Sequence, residues 1–303
     1  MKRSAIVLIT TLFTLLSLHG AALACTSFAV YSPRPIYGMN FDYARFPMKL
    51  RIETKGELRT FHLAFEKQLG ELRFFADTGG MNSKGLFYAC QEQYPFELNP
   101  PEPGEGNLPL YLLNELPERA GTVKEIQEAC NNTHLVQIKG VTIHTLFADM
   151  TGAAMVVETG ETQNRLTPMT GGHIVMANFP NHTLKGKSHT EAKGCGDYRY
   201  KIAHEYLQAH HKEFTVDHGL ALLGKAHNQN PEYPTTCSMV FAPETNSVYI
   251  AFHRDFSKVW KVSIDRGTLE TFRGFQAKIK LPLGQAGLLI SDLLNQPMGD
   301  TAL

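Results

Sequence analysis

Ala22-Leu23-Ala24-Cys25-Thr26-Ser27-Phe28-Ala29-Val30-Tyr31 runs from the end of a secretory signal straight into a β-like apolar stretch. Upstream, Lys2 and Arg3 give a basic start and Ala5 to Leu18 is almost wholly apolar or small. Ala22-Leu23-Ala24 then supplies the small-x-small cleavage pattern of a signal peptide. The apolar core is about 14 residues, short of the roughly 20 that a spanning helix needs. Cleavage after Ala24 leaves a chain that begins with Cys25. Such a residue holds a thiol, whose thiolate is a nucleophile, beside a free α-amine of pKa about 7.7–8.0 that can act as its base. A cysteine directly after a signal also fits lipoprotein processing, which would attach a lipid to Cys25. Those signals usually carry Leu three residues before the cysteine, where this chain has Ala22.

Two segments are expected: the signal at 1–24 and a single domain at 25–303, whose 279 residues suit one large domain. Lys2 and Arg3 are the only charges in the signal, so the 29 basic and 29 acidic residues of the chain become 27 and 29. That balance points to neither nucleic acid nor an anionic membrane surface. Without a second apolar run of spanning length, no stable membrane insertion is expected after cleavage. The five cysteines are Cys25, Cys90, Cys130, Cys195 and Cys237. An odd number in an exported chain suggests one free thiol, and Cys25 is the natural one. The other four allow up to two disulfides in three pairings, or none. No spacing matches a zinc site, and His204, Glu205, His210 and His211 read as a solvated helix face.

Along the chain, Thr26–Tyr31 and Ile36–Phe41 form strands across the break at Pro33-Arg34-Pro35. Leu50–Thr54, Thr60–Phe65, Leu72–Phe75 and Gly85–Ala89 are further strands, with a turn expected at Gly79-Gly80. Glu97–Asn107 is a Pro/Gly/Glu-rich loop, and Leu108–Glu118 and Val123–Asn131 are helical. Val141–Phe147 and Ala153–Glu158 make a hairpin over Asp149-Met150-Thr151-Gly152, followed by a strand at His173–Ala177. Tyr198–His210 and Val216–Ala226 are helical, Ser238–Ala242 and Ser247–Phe252 pair as a hairpin, and Leu283–Leu294 is a C-terminal helix. Hairpins and grouped helices together indicate an α+β protein.

Four stretches resemble, in order, the choloylglycine hydrolase and penicillin V acylase family of N-terminal-nucleophile hydrolases. Cys25-Thr26-Ser27 followed by Gly38-Met39-Asn40-Phe41-Asp42-Tyr43 is similar to its N-terminal Cys and Gly-Arg-Asn-Leu-Asp-Trp. Gly80-Met81-Asn82-Ser83-Lys84-Gly85-Leu86 is similar to Gly-Met-Asn-Glu-Lys-Gly-Leu. Val175-Met176-Ala177-Asn178-Phe179-Pro180 is similar to Val-Leu-Thr-Asn-x-Pro, and Asp197-Tyr198-Arg199-Tyr200 to Ser-Arg-Phe. The resemblance spans about residues 25–255.

It implies a four-layer αββα sandwich with two antiparallel sheets between helical layers. It implies an exported hydrolase of carbon–nitrogen bonds in linear N-acyl amides, periplasmic or secreted, with no metal or organic cofactor and often a tetramer. Cys25 would be the nucleophile and its amine the base. Asp42 would hold the amine, Asn82 and Asn178 would face the reacting carbonyl, and Arg199 would brace the site from a distance. Met39 departs from the pattern, standing where the family has an arginine that would favour the thiolate; Arg34 and Arg45 are the nearby cations. Two alternatives stay open: acyl transfer to an amine by the same cysteine, and a non-catalytic binding protein anchored by a lipid on Cys25.

Overall fold

Side-chain alternation along the first two strands divides the apolar residues between two cores. Cys25, Ala29, Tyr37, Met39 and Phe41 point one way, while Phe28, Val30 and Ile36 point the other. A sheet built from such strands is covered on both faces. The computed structural model describes residues 25–43, 46–69, 71–95, 107–136, 143–160 and 164–295. The signal, Arg45, nearly all of the Glu97–Asn107 loop, and Val141 and Thr142 lie outside them.

The first sheet contains, edge to edge, His173–Met176 (β12), Thr26–Tyr31 (β1), Pro35–Asp42 (β2), Thr235–Ala242 (β13), Ser247–Phe252 (β14), Val259–Ser263 (β15), Thr268–Arg273 (β16) and Lys280–Pro282 (β17). The second contains Asn164–Pro168 (β11), Ala154–Thr159 (β10), Ile143–Ala148 (β9), Phe87–Glu92 (β6), Leu72–Asn82 (β5), Leu58–Leu69 (β4), Met48–Lys55 (β3) and Leu288–Leu289 (β18). Neighbours in both sheets are antiparallel. Asn107–Pro109 (β7) and His134–Val136 (β8) form a small parallel pair.

Inner-face residues such as Tyr37, Phe61, Phe87 and Phe241 fill the space between the two sheets. Helices Asp197–His210 (α2) and Val216–Lys225 (α3) cover the outer face of the first sheet through Tyr200, Ala203, Leu207, Leu220 and Leu223. The 3-10 helix Leu110–Glu118 and helix Val123–Asn131 (α1) cover the second through Leu113, Leu116, Ile126 and Cys130. The architecture is therefore the four-layer αββα sandwich. Helix α1 starts on a capping box in which Thr122 Oγ1 accepts from the Glu125 amide and the Glu125 carboxylate accepts from the Thr122 amide.

Three local expectations differ from the structure. Gly79-Gly80 is not a turn but the middle of β5. These glycines let other groups approach: a Cβ on Gly80 would lie 1.9 Å from the Phe61 carbonyl oxygen, and one on Gly79 would lie 2.3 Å from Met39 Sδ. Leu110–Glu118 is a 3-10 helix carrying Pro117, whose nitrogen cannot donate. Of Leu283–Leu294, only Ile290–Leu294 (α4) is helical, because Leu288 and Leu289 pair with β3 instead. All five cysteines are free thiols. No helix among the described residues is long and apolar enough to cross a membrane.

Gly80→Ala is expected to destabilise the fold by about 2–3 kcal/mol, because backbone cannot yield as a side chain can. Gly284, with open space around its Cβ position, serves as the control: Gly284→Ala should leave the urea midpoint nearly unchanged while Gly80→Ala lowers it.

Candidate active site

Antiparallel pairing brings four chain segments to one end of the first sheet. The start of β1 lies beside the end of β2, with Thr26 opposite Asn40, and beside the end of β12, with Ser27 opposite Met176. The start of β13 closes the group, with Thr235 opposite Asp42 after a register shift before Cys237. Cys25, Asp42, Asn178 and Thr235 therefore meet, although Thr235 is 193 residues from Asp42.

Arg199, on the first turn of α2, reaches into this group and is 1% exposed. Its Nη1 donates to the Cys25 carbonyl, to Thr26 Oγ1 at 2.9 Å and to Asp42 Oδ2 at 3.2 Å, and Nη2 donates to Asn178 Oδ1 at 2.8 Å. Gly196 precedes the helix at φ 78°, and a Cβ there would lie 2.3 Å from Arg199 Nη2. Glycine thus meets a conformational need and a steric one at the same place.

The Cys25 nitrogen donates to Asn178 Oδ1 at 2.8 Å, and Asn178 Nδ2 donates to the Glu92 carbonyl at 2.8 Å. Asp42 Oδ1 accepts from Thr235 Oγ1 at 2.5 Å. Strand alternation makes this arrangement two-sided. The backbone of Cys25 is held from the helical side, while its side chain joins the residues between the sheets. There it lines a cavity of about 270 Å³ with Phe41, Tyr43, Phe65, Glu92 and Glu115. Phe41, Tyr43 and Phe65 pack together with ring centroids 4.9–5.6 Å apart.

Burial, then the charge of Asp42, pushes the Cys25 thiol well above its ordinary range. The Asp42 backbone N–H and Arg199 pull it back, and Glu92 adds to the rise. Burial also raises Asp42 to about 7, against the opposing pull of Arg199 and Thr235. Glu92 is raised to about 7 by burial, opposed by Lys67 and Tyr94. At neutral pH the sulfur is therefore a thiol, and nucleophilic use of it requires a base.

Of the residues expected at the site, Cys25, Asp42, Asn178 and Arg199 come together. Asn82 does not join them. Its Nδ2 donates to the carbonyls of Pro117 and Ala120, both at 2.7 Å, and its Oδ1 accepts from the Lys84 and Leu86 amides, both at 3.0 Å. It ties the turn after β5 to the 3-10 helix and does not line the Cys25 cavity. Met39 is fully buried between the sheets, so among the described residues Arg199 is the guanidinium that acts on the thiol. Arg34 instead pairs with Glu244 at 3.2 Å, at the protein surface. Glu92 and Thr235 were not singled out from the sequence, since a Glu ending one strand and a Thr opening another carry no distinguishing pattern. His204 is not on a solvated face: its ring stacks on His189 with centroids 4.2 Å apart.

The fold is that of the N-terminal-nucleophile hydrolases, with the cysteine at the head of an inner strand. A mutant conjugated bile acid hydrolase from Clostridium perfringens superposes with a TM-score of 0.60 at 14% identity, covering 82% of this chain and 96% of that one. Penicillin V acylase from Agrobacterium tumefaciens superposes with a TM-score of 0.55 at 14% identity, covering 92% and 98%. No protein-family profile and no curated protein matches the sequence.

Arg199→Met should cost about 3–5 kcal/mol, because it leaves Asp42 buried without its counter-charge. Adding Asp42→Asn should recover part of that loss in a double-mutant cycle followed by urea unfolding. Glu92→Gln removes one of the charges that raise the Cys25 thiol. The pH at which iodoacetamide alkylation of Cys25 reaches half its maximal rate, followed by peptide mass spectrometry, should therefore fall.

Proposed function

We propose that this protein is an exported amidohydrolase whose Cys25, freed by cleavage after Ala24, hydrolyses linear N-acyl amides through a thioester. The observation that carries this reading is the double placement of Cys25. Its nitrogen is anchored on Asn178 while its sulfur faces an aromatic-walled cavity.

In this scheme the α-amine takes the thiol proton, and sulfur attacks the amide carbon. The carbon–nitrogen bond breaks as the α-ammonium passes its proton to the departing amine. Water, deprotonated by the same amine, then releases the acid and restores the thiol. Asn178, whose amide already contacts the Cys25 nitrogen, is assigned to the developing oxyanion. Its Nδ2 keeps a second proton beyond the one given to Glu92, and an amide donates without titrating. Arg199 holds the Cys25 carbonyl and the Asp42 carboxylate holds Arg199, while the Cys25 nitrogen rests on Asn178 and not on Asp42; neither Arg199 nor Asp42 touches a substrate atom.

The cavity also narrows the substrate class. Phe41, Tyr43 and Phe65 offer an apolar wall to an aromatic or aliphatic acyl group. Glu92, Glu115 and Asp77 (the last paired with Arg51) stand against the single ammonium of Lys67 on the described wall, which favours a neutral or cationic amine over an acidic one.

The test is a panel of N-acyl amides offered to the purified mature protein. Cys25→Ala should be exported and trimmed normally, yet lose turnover by roughly a thousandfold or more. The intact mass of the wild type should start at an unmodified Cys25. Near-wild-type hydrolysis by Cys25→Ala, or a diacylglycerol increment on the mature mass, would refute the reading. Adding amine nucleophiles should leave the free acid as the main product.

A further inference from the structure

On the outer face of the second sheet, beneath the 3-10 helix, lies a polar cluster that the amide chemistry does not use. Arg51 and Glu53 on β3, His62 on β4, Asp77 on β5 and Glu118 at the end of the 3-10 helix contribute to it. Single donor atoms from Glu53, His62 and Glu118 all lie within 4.8 Å of one another. His62 Nε2 stands 3.9 Å from Glu118 Oε1.

The histidine is the informative member. It is fully buried, and its Nε2 has no hydrogen-bond partner among the described residues. Its Nδ1 lies 2.7 Å from Tyr88 Oη and 3.5 Å from Asp77 Oδ2. With two oxygens at Nδ1, the tautomer protonated there leaves a bare lone pair at Nε2. That lone pair lies beside two carboxylates, a donor set that suits a bound metal cation. Fixing the far nitrogen of a ligating histidine by an oxygen partner is also the usual outer-shell support of a metal site.

Charge agrees. Glu53, Asp77 and Glu118 bring three negative charges, and Arg51 binds Glu53 and Asp77 from one side. Lys55 touches Glu118 and, at 3.8 Å, Glu53, so its ammonium holds the cation's place, but its side chain is 56% exposed and swings out when the ion binds. Without Lys55 the cluster carries a net charge of −2, the complement of one divalent ion. Donors around a tetrahedral zinc at 2.0–2.1 Å stand about 3.4 Å apart, so the carboxylates must close in from separations of up to 4.8 Å, which side-chain rotation of Glu53 and Glu118 can supply. One imidazole nitrogen with two carboxylates favours zinc over calcium or magnesium, which prefer oxygen donors.

We propose that Glu53, His62 and Glu118 bind a zinc ion that pins the 3-10 helix Leu110–Glu118 to the second sheet. Asn114 and Glu115 of that helix line the Cys25 cavity, so the ion would brace the cavity wall from behind. It takes no part in bond cleavage, and the inference does not depend on the amidohydrolase reading.

The test is calorimetric titration of chelator-treated mature protein with zinc chloride, repeated in Cys25→Ala to remove the N-terminal thiol. One equivalent should bind with micromolar or tighter Kd in both, and saturating zinc should raise Tm by about 5 °C. Calcium and magnesium should do neither. Glu118→Gln and His62→Asn should each weaken binding tenfold or more, and Glu53→Gln, at a partly exposed position, should do the same if His62→Asn does not fold. His204→Ala should have no effect. Absence of zinc binding would overturn the proposal. So would an equivalent that survives Glu118→Gln and Glu53→Gln, or one that disappears in His204→Ala or Cys25→Ala.

Discussion

The buried guanidinium of Arg199 is the point on which the site end of the molecule depends. Three chain segments converge on it and together bring four oxygen atoms out of water: the Cys25 carbonyl, Thr26 Oγ1, Asp42 Oδ2 and Asn178 Oδ1. Buried acceptors without donors are costly. One planar cation with several N–H groups in a fixed geometry satisfies all four. The same charge opposes the rise of both Asp42 and Cys25. Stability and reactivity are therefore coupled through one side chain, and Gly196 gives it room.

Around that cation the two faces of the sheet divide the work. The helical face carries the polar network that fixes the backbone of Cys25. The inner face carries the thiol and the aromatic side chains beside it. Because successive residues of a strand point to opposite faces, Cys25 and Thr26 serve these two tasks as neighbours. Placement of the thiol toward the cavity is a by-product of pleating.

Much of this was legible in the sequence. The cysteine at the strand head, Asp42 on the next strand, Asn178 after an apolar strand and Arg199 at a helix start lay in short motifs, and the structure gathers these four. Asn82 sat in a motif of equal clarity, yet its amide is spent on the turn and the 3-10 helix that it joins. A motif shows that an asparagine is needed and is silent about which groups need it. Gly79-Gly80 read as a turn because glycine pairs usually break strands. Here the pair admits Met39 and the Phe61 carbonyl, a long-range requirement that local pattern does not carry. Glu92 and Thr235 act through contacts 86 and 193 residues distant in sequence (Glu92 through its carbonyl to Asn178, Thr235 through its hydroxyl to Asp42), and nothing in their local context marks them.

Met39 and Gly79 have a consequence for how this chain can change. The thioether fills the space that a side chain at position 79 would take, so the two positions form a single steric decision shared by two sheets. Exchanging Met39 for an arginine would lodge a charge in the layer between the sheets, in the space that Gly79 leaves open. A longer side chain at position 39 is therefore compatible with glycine, and not with a bulkier residue, at position 79. Position 39 in this sense sets what position 79 can be: the long thioether is tolerable only opposite a residue without a side chain.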